Sequence, residues 1–172
     1  MRSLRTLSLL ALLATPAVLA AQADPVANAA RSMARDNAKN LLAAAEAMPA
    51  DKYGFKPTPA QMSFGQLIAH IAGDDHVTCS AIAGVKPTPR AKVTPADGKD
   101  KLVAALKGSF DECTAALGAL KDASLGDAVT YYGQSSTRAT AVIGLLVDWA
   151  DHYSQQAMYL RLNGILPPTA RH

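Results

Sequence analysis

Proline and glycine fall in clusters along this chain, and the clusters set off four long stretches suited to helix. Pro49, Pro57 and Pro59 with Gly54 make the first break, and Pro87, Pro89 and Pro95 make the second. Gly126 and Gly133 mark a third, and Gly164 with Pro167-Pro168 closes the last stretch. Proline lacks the N–H that a helix interior needs and clashes with the preceding turn, so no helix crosses the proline clusters. The first stretch, Pro25 to Ala47, is rich in Ala, Leu and Lys, and Pro25 suits a first helical turn. In the second, Ser63 is a good N-cap, Gln66 three residues on completes a capping-box pattern, and Gly84 ends the helix. Its apolar residues Phe64, Leu67, Ile68, Ile71 and Ile82 recur at helical spacing. The third, Lys99 to Lys121, repeats Leu102, Leu106, Phe110, Cys113 and Leu117 at threes and fours. The fourth, Thr137 to Asn163, carries Val142, Leu145, Leu146, Trp149, Tyr153 and Leu160. Val129 to Tyr132 is the one short run with extended character, and a single run makes no sheet. Four amphipathic helices with a long connector from Val85 to Gly98 predict an all-α four-helix bundle with a crossover between helices 2 and 3. No Glu-x-x-His occurs, which argues against a ferritin-like di-metal bundle.

The N-terminus reads as an address. Arg2 and Arg5 precede an apolar run from Leu7 to Leu19, and Ala21-Gln-Ala23 fits a cleavage signal. Residues 1–23 are therefore expected to be a secretory signal peptide, and residues 24–172 a single exported domain, periplasmic or secreted. The apolar run is short for a membrane span, so no membrane attachment is expected after cleavage. Without the signal, Lys+Arg falls from 17 to 15 against 14 Asp+Glu, a net charge of +1. No basic stripe with interleaved aromatics remains, which excludes a nucleic-acid partner from the leading readings. Cys79 and Cys113 are an even pair in an oxidising compartment, and a disulfide is expected; two buried thiols are the alternative. Neither belongs to a C-x-x-C, so thioredoxin-like chemistry has no support.

The chemistry concentrates on three residues. Asp148 and His152 are four apart, one turn along one face of the fourth helix, and His70 flanks the apolar stripe of the second. Two helices offering His70, His152 and Asp148 to a shared groove make a three-ligand metal site with an open position. Imidazole and carboxylate suit a divalent transition metal, zinc or nickel ahead of copper or iron. Asp74, one turn after His70, is an alternative or additional ligand; Gln155 and Tyr159 continue the line of Asp148 and His152 and are candidates to orient a substrate. The bland reading of such a pair is a solvated helix face. His76, on the other flank of the second helix, is expected to be exposed, and Trp149 and Tyr153 to be core.

Phe55-Lys-Pro-Thr-Pro59, Ser63-Phe-Gly-Gln-Leu-Ile-Ala-His70, Cys79-Ser-Ala-Ile-Ala-Gly84, His152-Tyr-Ser-Gln155 and Tyr159-Leu-Arg-Leu-Asn-Gly164 together resemble the DinB-like family of metal-binding four-helix bundles, over roughly residues 27–168. The resemblance implies one His ligand from the second helix and two His four apart in the last. His70 matches the first position and His152 the last, while the middle position falls on Asp148, a carboxylate where an imidazole is usual. The Arg-Gly that often follows the last His is replaced by Tyr153-Ser154, and Gln155 is kept. The resemblance also implies that some relatives are thiol-dependent transferases or isomerases; export would separate this chain from cytosolic thiol cofactors.

Two expectations follow. In one, the protein is an enzyme, a metal-dependent hydrolase or thiol transferase acting on a small molecule. In the other it is a non-catalytic exported bundle that binds a small ligand or a partner protein, and a homodimer along exposed helix flanks is compatible with either. Substrate and reaction are left open by the sequence.

Overall fold

A computed structural model describes residues 23–170. All but the last residue of the expected signal segment lies outside them, as does the terminal His172. Four helices form: α1 (Pro25–Ala47), α2 (Phe64–Ala83), α3 (Gly98–Gly118) and α4 (Arg138–Leu162). The start and stop signals of α2 act as written. The Ser63 side chain accepts from the Gln66 N–H, the Gln66 side chain accepts from the Ser63 N–H, and Gly84 ends the helix at φ 74°. Only glycine takes that left-handed conformation without steric cost.

Each helix packs against two others, in the ring α1–α4–α2–α3. Partner positions on α2 and α3 rise together: Gly65 lies by Leu102, Asp75 by Ser109 and Cys79 by Cys113. These helices are therefore parallel, and parallel neighbours need a connection that travels back the length of the bundle. Residues 85–97 make that return as an extended strap ending in a short 3-10 turn at Pro95–Asp97. The strap is tied down at two points. The Thr88 carbonyl lies 2.8 Å from His76 Nε2. The Arg90 guanidinium donates to Glu112 of α3 at 3.0 Å and to the carbonyl of Ala72. His76 is thus not an exposed residue: its side chain is 13% accessible, with Nδ1 2.7 Å from the Glu112 carboxylate. A strap passing over that flank of α2 is what the helical wheel alone did not contain.

The segment between α3 and α4 corrects the expectation of no sheet. Ala128–Tyr131 (β1) and Gln134–Thr137 (β2) pair antiparallel, with Tyr131 opposite Gln134. The two turn residues have positive φ, 46° at Tyr132 and 76° at Gly133, as a two-residue hairpin turn matched to strand twist requires. Glycine adopts this freely; at Tyr132 it costs about 1 kcal/mol or more.

The core is apolar, with Phe64, Leu67, Ile68, Ile71, Leu102, Leu106, Leu145 and Trp149 almost fully enclosed. Trp149 meets Phe110 edge-on at 4.8 Å between ring centroids, joining α4 to α3 across the bundle. Cys79 and Cys113 form a disulfide between α2 and α3. No helix among the described residues is long and apolar enough to cross a membrane.

Candidate functional site

Helix α4 runs antiparallel to α2, so residues four apart on one face a matching ladder on the other. His70 stands opposite His152, their ring centroids 5.1 Å apart. Asp74 is one turn further along α2, its Oδ2 3.4 Å from His70 Nε2. Asp148 is one turn back along α4, its Oδ1 3.3 Å from His152 Nδ1. Two imidazoles and two carboxylates therefore share one interhelical groove. His70, Asp74 and Asp148 are each about a third accessible, with side-chain values of 38%, 34% and 37%, whereas His152 is at 7%.

The His152 ring has a defined tautomer. Nδ1 lies 2.7 Å from the Asp148 backbone carbonyl, which only accepts, so Nδ1 carries a proton, and in the neutral ring the lone pair is then on Nε2. Metal-binding histidines are commonly oriented by this kind of bond. Burial raises the Asp148 carboxyl above its ordinary pKa; His152 opposes the rise, and the Asp74 charge adds to it. Among the described residues, no three His, Cys, Asp or Glu side chains stand grouped around one point as they lie. Asp148 sits at the Nδ1 edge of His152, and joining the two imidazoles around an ion would require it to turn.

Sequence reasoning named two further residues on this line, and both have other partners. The Gln155 amide donates to Asp151 at 2.7 Å. The Tyr159 hydroxyl donates to the Met62 carbonyl at 2.7 Å, and its ring packs on Phe55 and Phe64. Tyr159 thus secures the entry to α2.

The hairpin adds what the sequence did not point to. Tyr131 and Tyr132, rings 4.7 Å apart, lie against Thr78, the next rung of the α2 ladder, and within electrostatic reach of Asp74 and Asp148. The Tyr131 hydroxyl fills a notch on α4: a Cβ at Gly144 would come within 2.5 Å of it. Burial raises the Tyr131 pKa, and both carboxylates raise it further, so the phenol stays protonated. At the other end Gln156, one turn after His152, is fully buried with neither amide atom hydrogen-bonded among the described residues.

Beneath the groove is a third carboxylate in a different setting. Asp75 is 1% exposed; its Oδ1 accepts from Trp149 Nε1 at 2.7 Å, and its Oδ2 lies 2.6 Å from Ser109 Oγ. Burial pushes its pKa up to about 7, against the pull of those two hydrogen bonds. A signal was present in the sequence: Asp75 occupies a place in the apolar series of α2, four residues after Ile71.

Helical order, strap and groove define a class: a four-helix bundle with parallel second and third helices and a His/Asp site between the second and fourth. The family model for the DinB superfamily matches residues 33–155, and the chain belongs to that family. The chain is similar in structure to a DinB-like protein from Bacillus subtilis (TM-score 0.64, 19% identity, covering 78% of this chain and 91% of that one). It is similar also to a DinB-like protein from Bacillus cereus (TM-score 0.63, 12% identity, 77% and 89% covered). A mutant of a mycothiol-dependent maleylpyruvate isomerase has a similar fold at TM-score 0.60 and 13% identity, with 74% of this chain and 59% of that one covered. At such identities these likenesses establish the fold alone. No curated protein matches the chain by sequence.

Proposed function

We propose that the protein is an exported metal-dependent enzyme whose single divalent ion, zinc or nickel, is held by His70, His152 and Asp148, with Asp74 beside them. The observation that carries this reading is the 5.1 Å approach of two imidazoles from helices far apart in sequence. Charge supports it as well. Asp74 and Asp148 share a groove where burial, and secondarily the Asp74 charge, raises the Asp148 pKa, and a divalent cation would offset both. The Nδ1 bond of His152, which leaves Nε2 as the nitrogen available to an ion, and the partial exposure of Asp148, which lets its carboxylate turn, suit the residues to such an ion. Bound there, the ion would supply Lewis-acid chemistry to a water or a substrate oxygen or sulfur. The chain's own part is to orient His152 through the Asp148 carbonyl and to offer a protonated phenol, Tyr131, at the acidic end of the groove.

Hydrolysis is the leading reaction class. Thiol-group transfer is the second, favoured by the fold shared with a mycothiol-dependent isomerase and disfavoured by export. The Cys79–Cys113 bridge supports export, because disulfides persist in oxidising compartments. Calorimetric titration of the chelator-treated protein with zinc tests the ligand set. One site per chain is expected for wild type, and affinity at least about tenfold weaker for His152→Ala with an unchanged circular dichroism spectrum. Equal zinc affinity in the two proteins would remove His152 from the site.

A further inference from the structure

A cavity of about 960 Å³ lies under the strap, between α2, α3 and residues 87–93. It reaches the metal-site candidates, because His70 and Asp74 belong to its wall. Its size falls in the range of small-molecule sites. Its floor is unusual for two packed helices. Gly73 of α2 and Gly108 of α3 both line it, and a Cβ added at either would meet no atom within 4 Å. Neither glycine has positive φ, so neither the backbone nor the packing calls for one. Each lowers helix stability by about 1 kcal/mol relative to alanine. The apolar part of the wall includes Ala69, Val77, Val93 and the strap prolines. The charged members of the lining are two cations, Arg90 and Lys92, and one acid, Asp74. Arg90 is tied to Glu112 and to the Ala72 carbonyl, while Lys92 pairs with no carboxylate among the described residues.

We infer that this cavity is the binding site for a small organic anion with an apolar body, lying over Gly73 and Gly108 with its charged group at Lys92 and its other end directed at His70. The two glycines leave the room that the body fills, the strap forms one wall against it, and Lys92 supplies the charge complement. The presentation of one end to a bound ion rests on the proposed metal site; the cavity and its anion preference do not.

The test uses dansylaminocaproate as a fluorescent probe, and its methyl ester as the uncharged counterpart, on the full mature chain before and after zinc addition. The acid is expected to bind with enhanced emission and the ester several-fold more weakly. Gly108→Leu fills the cavity and should abolish probe binding while raising or preserving the thermal midpoint, since it replaces a helical glycine. Gly73→Leu gives the same test from the other helix. Lys92→Gln should weaken the acid about threefold and leave the ester unchanged. Unaltered binding in both leucine variants, or no binding at all, overturns the assignment, and equal affinity for acid and ester overturns the anion preference. A protein that binds the probe but takes up no zinc would keep the cavity assignment and sink the metal reading.

Discussion

Asp74 and Asp75 are neighbours in sequence and opposites in situation. Asp75 turns inward to the α2–α3 seam, where Trp149 and Ser109 meet it and the Cys79–Cys113 bridge lies one turn on. Asp74 turns toward the α2–α4 seam, where it meets His70, a second carboxylate and partial solvent. Around Asp75 the first seam is packed and hydrogen-bonded beneath the strap cavity; the second is open and electrostatically incomplete. A bundle that locks one pair of helices can leave another pair with unbalanced charge, and unbalanced charge in a reachable groove is where a ligand gains most.

The closed seam should respond most to damage. Replacing both cysteines by serine should cost about 3–4 kcal/mol, from the chain entropy of a loop of 34 residues. Urea unfolding with and without reductant measures it, and a loss under 1 kcal/mol would show that packing alone holds the seam.

Next comes Asp75. Ser109 Oγ has one proton for two acceptors, Asp75 Oδ2 at 2.6 Å and the Leu106 carbonyl at 2.8 Å. Every group is satisfied when Asp75 is protonated and donates to Ser109, which then donates to Leu106. Because burial raises the folded pKa to about 7 from 3.8, the folded state holds this proton more tightly than the unfolded chain. Its contribution is complete below about pH 4, shrinks as pH rises through the interval up to about 7, and is flat above. Asp75→Asn can donate to Ser109 and accept from Trp149 without a titration, so it should fold with stability within about 1 kcal/mol of the pH 4 wild type and flatten the profile. Asp75→Ala should cost about 2–3 kcal/mol. An unchanged pH slope in the Asn variant would assign the slope to other groups.

The open seam gives smaller effects. Gly144→Ala drives a methyl into the Tyr131 hydroxyl and should cost about 1–2 kcal/mol, partly restored by adding Tyr131→Phe. Strict additivity of the two changes would place the hydroxyl elsewhere. Asp74→Asn removes a like charge near Asp148 and should stabilise the metal-free protein by a few tenths of a kcal/mol at low salt, an effect lost at high salt. With zinc present the sign should reverse, and thermal midpoints at two salt concentrations, with and without zinc, read both.

How much of this was legible in the sequence follows the range of the interactions. The capping box at Ser63 and Gln66, the stop at Gly84 and the proline clusters act within one turn of chain, and they marked the helices to within a few residues. The even cysteine pair marked the disulfide. The hairpin was hidden because each strand has four residues and its turn places a tyrosine, not Asn or Asp, at positive φ. The place of Asp75 in the apolar series of α2 marked it as inward-facing, but its partners were hidden because they come from two other helices, and those of His76 because the strap that covers it returns from beyond the end of α2. At the candidate site, spacing put Asp148 one turn from His152 and Asp74 one turn from His70. The opposition of the two pairs depends on the antiparallel packing of α2 and α4, which only the fold supplies.

Elemental analysis of the purified mature protein, beside Asp148→His, bears most directly on the claim that the α2–α4 groove is a metal site. About one zinc or nickel per chain in wild type, held more tightly in the variant, is the expected result. A wild-type chain that stays metal-free after supplementation with both ions, folded and with its disulfide formed, would contradict it.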